Sequence, residues 1–410
     1  MVLNYIWAGF FIIAFLLAAV SALFSGNGEV FSEMVAATFD YAKMGFEISL
    51  GLTSVLCLWM GIMKIGEKAG VINVLAKAGA PIFGKLFPEV PKNDPVTGAM
   101  FMNFSANLLG LDNAATPVGL DVMKRLQELN PDKTQASNSM IMFLMINASG
   151  LTLFPITIMM YRAQMGAANP ADVFVPIMIA TGMSTLTAII MCSIKQKINL
   201  LQKEILVPAL CFIAFIIGIT YMFISGDKDS LSAGATLVSN FLLIGVIITF
   251  ILTGLFKRIN VYECFIEGAK DGFSTAITII PYLVAILVAI GVFRASGAMD
   301  YLMMGISACF EFIGINTDFV EAIPTMIMKP LSGSGARGLM LDAMNAHGAD
   351  SFVGRVASVV QGSTDTTFYV VALYYGSIAI KKIRYTLTYS LCADLIGIIT
   401  AVIIAYVFWG

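Results

Sequence analysis

Long apolar segments constrain this chain more than any other feature of its sequence. An α-helix rises about 1.5 Å per residue, so roughly 20 apolar residues are needed to cross the bilayer's hydrocarbon core of about 30 Å. Only 12% of the 410 residues are charged, about half of the roughly 25% found in soluble proteins. The sequence therefore predicts an all-α, polytopic membrane protein. The predicted spans are Leu3–Phe24, Phe46–Ile65, Ser137–Tyr161, Val173–Ile194, Ile205–Ser225, Leu231–Phe256, Ser274–Phe293, Phe352–Ile380 and Tyr385–Trp409.

Charge and residue usage argue against several classes of function. The formal net charge is −2, so the chain has no basic field to gather nucleic acid. The six cysteines lie far apart and His347 is the single histidine, which argues against a metal site or a disulfide framework. The sequence contains no GxxxxGK(S/T) phosphate-binding loop, and no nucleophile, base and metal ligands that would form a catalytic site. We therefore expect a protein that is not an enzyme, uses no cofactor or metal and binds no nucleic acid.

Basic residues concentrate in alternate connections between the predicted spans. By the positive-inside rule, connections rich in Lys and Arg face the cytoplasm. This rule predicts a cytoplasmic N-terminus and a C-terminus outside the bacterial cytoplasmic (inner) membrane. The basic segments are Lys64–Lys92, Lys124–Lys133, Lys195–Lys203, Lys257–Lys270 and Lys381–Arg384.

Interrupted apolar segments recur in the same order in the two halves of the chain. Lys68–Leu75 pairs with Ala295–Leu302, Leu109–Leu120 with Leu331–Leu339, and Asn147–Phe154 with Gln361–Phe368. The predicted orientation makes the corresponding spans run in opposite directions. Inverted repeats with broken helices are typical of secondary transporters, whose binding site lies near the middle of the membrane. We therefore predict two inverted-topology repeats with broken or re-entrant helices.

Polar clusters within these interrupted segments are the candidate site. An unpaired amide or carboxylate in hydrocarbon costs several kcal/mol, so such groups face protein, water or a ligand. Small hydroxyl residues also serve as contacts between packed membrane helices, which remains the alternative for the serines and threonines. Asp365 is the candidate residue for binding a coupling ion. Arg337 is the candidate cation that would pair with its carboxylate. The predicted solute-binding residues are Asn103, Asn107, Asp112, Asn113, Thr116, Asn147 and Ser149 in the first half, and Ser332, Ser334, Arg337, Gln361, Ser363, Thr364, Asp365 and Thr367 in the second.

Longer motifs at these positions resemble two known families. Residues 1–203 resemble spore maturation protein A and residues 204–410 resemble spore maturation protein B, so the chain looks like a fusion of the two. Each half contains a segment similar to the Gate, or nucleoside-recognition, domain, at about 46–162 and 273–380. The motifs that carry the resemblance are Leu86–Lys92, Asn107–Pro117 and Asn130–Lys133 for the first family, and Asn260–Lys270, Ile280–Val284, Lys329–Gly335 and Gln361–Tyr369 for the second.

The resemblance implies transport or gating of a small polar solute. Similar Gate domains occur in concentrative nucleoside transporters and in the membrane part of bacterial ferrous-iron uptake proteins. The implied solute is nucleoside-like, hydroxyl-rich or anionic, and the implied partners are membrane lipids, this solute and a second copy of the chain in a homodimer. The alternative is a non-transporting envelope or spore-maturation membrane protein that binds a lipid head group or a protein partner.

Overall fold

Helices make up the fold. The computed structural model describes residues 2–25, 28–71, 81–91, 94–108, 112–225 and 228–410. Within these ranges no β-strand forms beyond an isolated bridge between Gln135 and Lys382. The prediction of an all-α, polytopic membrane protein is therefore confirmed. Five helices in the described ranges are long and apolar enough to cross a membrane: Asn4–Phe24, Glu29–Lys68, Phe174–Gln196, Val261–Ala295 and Thr386–Trp409.

The helices are numbered here in chain order. Residues 81–86 are also helical, and a short 3-10 helix spans Val320–Ala322. The numbered helices are α1 (Val2–Ser25), α2 (Glu29–Lys68), α3 (Pro95–Leu108), α4 (Asp112–Leu129), α5 (Asn138–Ala148), α6 (Ile156–Gln164), α7 (Phe174–Gln196), α8 (Lys203–Ser225), α9 (Lys228–Phe256), α10 (Val261–Ala295), α11 (Ala298–Phe312), α12 (Ile323–Leu331), α13 (Gly333–His347), α14 (Phe352–Ser363), α15 (Thr367–Ser377) and α16 (Thr386–Trp409).

Two of the predicted spans are interrupted in the structure. The segment Ser137–Tyr161 forms α5 and α6, which are separated by residues 149–155. The segment Phe352–Ile380 forms α14 and α15, which are separated by residues 364–366. The predicted broken helices are therefore present, one in each half of the chain.

Helices α2 and α10 pack against each other along much of their length and run antiparallel. Tyr41 of α2 lies against Gly291 of α10, whereas Leu56 lies against Gly272, so residue numbers rise along one helix as they fall along the other. A Cβ atom at Gly272 would lie only 2.6 Å from the carbonyl oxygen of Leu56. Glycine at this position lets the two backbones touch, which is how membrane helices gain packing contacts in the absence of a hydrophobic driving force.

Replacing Gly272 with leucine is expected to lower the free energy of unfolding by about 1–3 kcal/mol, because the new side chain must push α10 away from α2. Thermal unfolding of the purified protein in detergent would measure this change. Gly245 of α9 is the matched control, since no atom lies within 4 Å of a Cβ built there. A Gly245→Leu variant that is destabilised as much as Gly272→Leu would contradict the close-packed interface.

The two broken helices also run antiparallel to each other, and each break lies near the middle of its helix pair. Helices α5 and α6 contain 11 and 9 residues and α14 and α15 contain 12 and 11, so each half-helix covers about 14–18 Å, roughly half of a hydrocarbon core of about 30 Å. The backbone amide of Ala136, before α5, donates to the carbonyl oxygen of Lys382, after α15, at 3.0 Å. Arg162, near the end of α6, contacts Asp350, just before α14.

Four charged side chains join the two halves at the end of the fold where α6 ends and α14 begins. Arg162 has no exposed surface, and its Nη2 lies 2.9 Å from Asp172 and 3.0 Å from Asp350. Arg355 donates from Nε to the same Asp172 at 2.9 Å, and its guanidinium stacks 5.2 Å from the ring centre of Trp409. We call these four side chains, Arg162, Asp172, Asp350 and Arg355, the ionic network. It fixes α6, α14 and α16 to one another.

Candidate functional site

A polar cavity of about 140 Å³ lies where the two helix breaks meet, and we call it the seam cavity. Its size is below the roughly 300–1,000 Å³ typical of sites for drug-sized ligands. The cavity therefore suits a compact solute. It is lined by Asn107, Asn147, Gly150, Thr152, Phe154, Pro155, Ile156, Thr157, Ile158, Lys329, Gly333, Arg337, Gln361, Gly362, Thr364, Asp365 and Thr366.

The two breaks touch directly. The backbone amide of Asp365 donates to the carbonyl oxygen of Ala148, the last residue of α5, at 2.9 Å. Gly150 has φ +64°, a conformation that residues with a side chain rarely adopt, and a Cβ there would lie 2.7 Å from the amide nitrogen of Asp365. A glycine at position 150 thus allows the first break to approach the second closely enough to form one wall of the cavity.

Helix N-termini border the seam cavity on three sides. Ile156 begins α6, Gly333 begins α13, and Thr366 precedes α15; all three line the cavity. The first turns of α6 and α15 have no hydrogen bond from a capping side chain. Unpaired amides and the helix dipole at an N-terminus favour an anion or a polar oxygen. This arrangement gives the cavity a positive potential.

Two cationic side chains strengthen that potential. Arg337 extends from the first turns of α13, with its guanidinium 5.5 Å from the ring centre of Tyr161, and its Nε has no hydrogen-bond partner. Lys329, from the last turn of α12, also lines the cavity although only 5% of it is exposed. A carboxylate or phosphate bound in the cavity would pair with the guanidinium of Arg337, which lines its wall.

Asp365 is the carboxylate in the cavity lining. Its side chain is exposed, and its Oδ1 accepts a hydrogen bond from the amide of Thr366 at 2.6 Å. Arg337 and Asp365 line the same cavity, but the described side chains form no ion pair between them within 4.0 Å. The structure therefore does not bring the expected counter-charge into contact with Asp365.

Amide side chains complete the polar wall. Asn107 donates from Nδ2 to Oδ1 of Asn147 at 2.8 Å, and Asn147 donates to the carbonyl oxygen of Phe143 at 2.8 Å. Gln361 reaches Gly333 at 3.5 Å, and its buried Oε1 has no hydrogen-bond partner. Within the described ranges, no three His, Cys, Asp or Glu side chains stand together as a metal site would require. The cavity thus offers amides, hydroxyls and charged groups for hydrogen bonding.

The structure brings six of the predicted site residues together in this lining, from both halves of the chain. Whether they bind a solute stays a prediction. The side chains of Asp112 and Asn113 lie outside the described part of the structure, and Thr116 lies half-buried on α4. The six residues are Asn107, Asn147, Arg337, Gln361, Thr364 and Asp365.

Other predicted residues lie outside the cavity and bond to the protein itself. The hydroxyl of Ser149 donates to the carbonyl oxygen of Ile146 and lies 2.8 Å from Thr185 Oγ1, and that of Ser363 donates to Val360. These contacts agree with the alternative considered for the serines, in which their hydroxyls serve the packing of the helices and do not bind a solute.

Two further contacts fix helix ends. Ser332 caps α13 by accepting from the amide of Gly335, with Ser334 Oγ 3.3 Å from its hydroxyl. Asn103 donates to the carbonyl oxygen of Ala115 and so joins α3 to α4. Neither group lines the cavity.

Sequence reasoning missed two charged residues at this site. Lys329 lies on the cavity wall, and Asp394 lies behind it on α16, where Thr364, Thr367, Lys329 and Asp365 act on its carboxylate. Asp394 is the lone charged residue between Tyr385 and Trp409, so the reasoning applied to Asp365 could have found it. On and directly behind the wall, Lys329 and Arg337 balance the formal charges of Asp365 and Asp394.

Comparison with known proteins supplies the context for this cavity. The family model described as Gate, nucleoside recognition, matches residues 49–165 and 276–381. Spore maturation protein B of Bacillus subtilis (strain 168) is 46% identical over 165 residues, which cover 40% of this chain and 91% of that protein. Spore maturation protein A of the same organism is 36% identical over 187 residues, which cover 46% of this chain and 92% of that protein. The cavity-lining residues fall inside the two matched ranges, whereas Asp394 lies beyond them.

Proposed function

The chain belongs to the Gate, or nucleoside-recognition, family, and from this premise we propose that it carries a small polar solute across a membrane through the seam cavity. One observation carries the proposal: in an apolar helical protein, a polar, charged cavity lies between the breaks of two interrupted helices from opposite halves. Transporters of other families bind their solutes at such places, where half-helix termini point at the ligand. The protein acts as a carrier and not as an enzyme, and the sequence has no phosphate-binding loop for ATP, so a gradient supplies the energy.

The solute is a compact anion or a small molecule rich in hydroxyl groups. On the cavity wall itself, the cations Lys329 and Arg337 outnumber the carboxylate of Asp365. The uncapped helix N-termini add positive potential. The volume of about 140 Å³ favours a small molecule over a bulky one. Arg337 and Gln361 line the cavity and offer polar groups to such a solute.

We also propose that the two halves are inverted-topology repeats. Helices α2 and α10 contain the first residues of the two ranges matched by the family model, and they run antiparallel. The broken helices α5–α6 and α14–α15 are antiparallel as well. Rocking of one repeat against the other around a fixed site would give alternating access.

The positive-inside rule supports an orientation for this carrier in the bacterial cytoplasmic membrane. Lys381, Lys382 and Arg384 follow α15, and Arg384 donates to the carbonyl oxygen of Ala136 beside the start of α5. Lys195 lies at the adjacent end of α7, whose Gln196 bonds to Tyr385. This basic end would face the cytoplasm and the ionic network the outside, with the N-terminus inside and the C-terminus outside.

A ligand screen followed by a flux assay tests the proposal. Purified protein would be heated with panels of small anions, polyols, nucleosides and amino acids, because a ligand at 100 times its Kd stabilises the folded state by about 2.7 kcal/mol. We expect stabilisation by compact anionic or polyhydroxyl compounds. The same compounds should exchange across proteoliposomes that contain the protein, and not across protein-free vesicles.

Two results would overturn the transport proposal. If no compound stabilises the protein, the cavity does not bind a solute of this kind. If a compound binds without exchanging, the protein is the non-transporting envelope protein considered as the alternative, with a lipid head group or a partner as its ligand.

A further inference from the structure

Asp394 is a buried carboxylate that the fold leaves without hydrogen bonds. It lies in the third turn of the apolar helix α16, with 2% of its surface exposed. Neither Oδ1 nor Oδ2 has a hydrogen-bond partner. An ionised carboxylate in such a position costs several kcal/mol unless a cation or a proton compensates it. The group is therefore a candidate to bind a proton or a cation.

Hydroxyl groups lie within interaction distance of this carboxylate. Thr364 and Thr367 face Asp394 from the second helix break and the start of α15, yet neither hydroxyl makes a hydrogen bond of ordinary geometry. Ser390 lies one turn earlier on α16, on the same face, and its buried hydroxyl also has no partner. A protonated Asp394 would donate to one of these oxygens, which removes both the buried charge and the missing bond.

Two charged groups act on Asp394 from the packed elements around it. Lys329 approaches from α12, and Asp365 approaches from the break between α14 and α15. A nearby cation stabilises an ionised carboxylate, whereas a nearby carboxylate destabilises it. Both of these side chains also line the seam cavity. A change of charge in the cavity therefore changes the electrostatic environment of Asp394 through Lys329 and Asp365.

We propose that Asp394 is a proton-binding site whose protonation is linked, through Lys329, to the charge held in the seam cavity. The linkage deepens the proposed function, and its anion is the solute proposed there. When an anion enters, Lys329 compensates the anion and no longer Asp394, so the carboxylate accepts a proton from hydronium in the solvent, which forms its O–H bond and leaves neutral water. The local formal charge, which is zero in the empty site, returns to zero when one anion and one proton are bound.

Asp394 serves this role better than Asp365, the carboxylate that the sequence indicated. Asp365 is exposed, and the amide of Thr366 already bonds to its Oδ1. An exposed, hydrogen-bonded carboxylate stays ionised at little cost. Asp394 is neither exposed to water nor paired in a hydrogen bond of ordinary geometry.

Infrared spectroscopy of the full-length protein tests the proposal without any solute. In an ester-free maltoside detergent, the carbonyl band of a protonated carboxyl group is followed as the pH rises. We expect a titrating band that the Asp394→Asn variant lacks and the Asp365→Asn variant retains. In the Lys329→Gln variant the pH midpoint of the band should rise by about 1 unit or more, because an opposite charge nearby no longer favours ionisation. Lys381→Gln, which removes an exposed lysine far from the cavity, should leave the midpoint unchanged.

Each other outcome contradicts the proposal. A titrating band that survives in Asp394→Asn would show that the proton binds elsewhere, and an unmoved midpoint in Lys329→Gln would remove the link to the cavity. Loss of the band when sodium replaces choline in the buffer would identify a metal cation as the ligand. If Asp394→Asn does not fold, the Asp394→Glu variant replaces it, and a changed midpoint of the band would assign the band to this position. The band is read without transport, so its absence and a failed flux assay are separate results.

Discussion

Replacing Arg162 with alanine is expected to lower the free energy of unfolding by about 3–5 kcal/mol, because it removes a fully buried cation from its ion pairs with Asp172 and Asp350. Arg162 has no exposed surface and contacts both Asp172 and Asp350, and its Nη1 also donates to the carbonyl oxygen of Ala349 at 2.6 Å. The ionic network therefore loses the side chain that joins α6 to the segment before α14. Thermal unfolding in detergent would measure the change. Unfolding is monitored by the reaction of a thiol dye with Cys192 and Cys264, which are buried in the folded protein.

The matched control is Arg125→Ala. Arg125 pairs with Asp121 at 2.8 Å, one turn away on α4, and both side chains are exposed. An exposed pair of this kind contributes about 0–1 kcal/mol, so the variant should unfold close to the wild-type temperature. A loss for Arg162→Ala no greater than for Arg125→Ala would contradict the structural role assigned to the ionic network.

Replacing Arg337 with glutamine is expected to weaken binding of the cavity solute about 10- to 100-fold, because a hydrogen bond to a charged group contributes about 1.5–3 kcal/mol. Calorimetric titration would measure the affinity, with the compound that gives the largest thermal shift in the ligand screen. The guanidinium contacts Tyr161 from within the cavity lining, and its Nε holds no other partner. A neutral amide keeps part of the hydrogen-bonding capacity but not the charge.

Lys381→Gln is the control for this variant, since it removes one positive charge from an exposed position after α15. Its affinity for the solute should equal that of the wild type. Unchanged affinity in Arg337→Gln, with normal folding, would show that the solute does not bind at the seam cavity.

Much of the fold follows from the sequence, because a helix that crosses the hydrocarbon core needs an apolar segment long enough to span it. The polar interruptions near Gly150 and Asp365 predict the broken helices, and both are present. The same rule underestimates α2, which contains 40 residues and begins at Glu29, well before the predicted span Phe46–Ile65. Its N-terminal part is too polar for the hydropathy criterion but packs in the fold, where the hydroxyl of Tyr41 donates to Asp342 at 3.1 Å.

The site is predicted less completely, because spacing along the chain does not fix where a side chain points. Ser149 and Ser363 occupy polar clusters, yet their hydroxyls bond to carbonyl oxygens of their own helices. Asn147 and Gln361 come from equally polar clusters and do line the cavity. Lys329 could not be distinguished by spacing from a lysine at the membrane surface, since α12 is short and ends in a break.

The balance of formal charge around the seam cavity bears on how a membrane voltage would act on the protein. Moving one net charge through 100 mV changes its free energy by about 2.3 kcal/mol, so a charged mobile region would be driven strongly in one direction. With Lys329 and Arg337 opposed by Asp365 and Asp394, the empty region carries no net charge. In the proposed carrier, rocking of the repeats around this empty region would then be electrically silent, and a voltage would act only on those steps in which bound solute and proton fail to cancel.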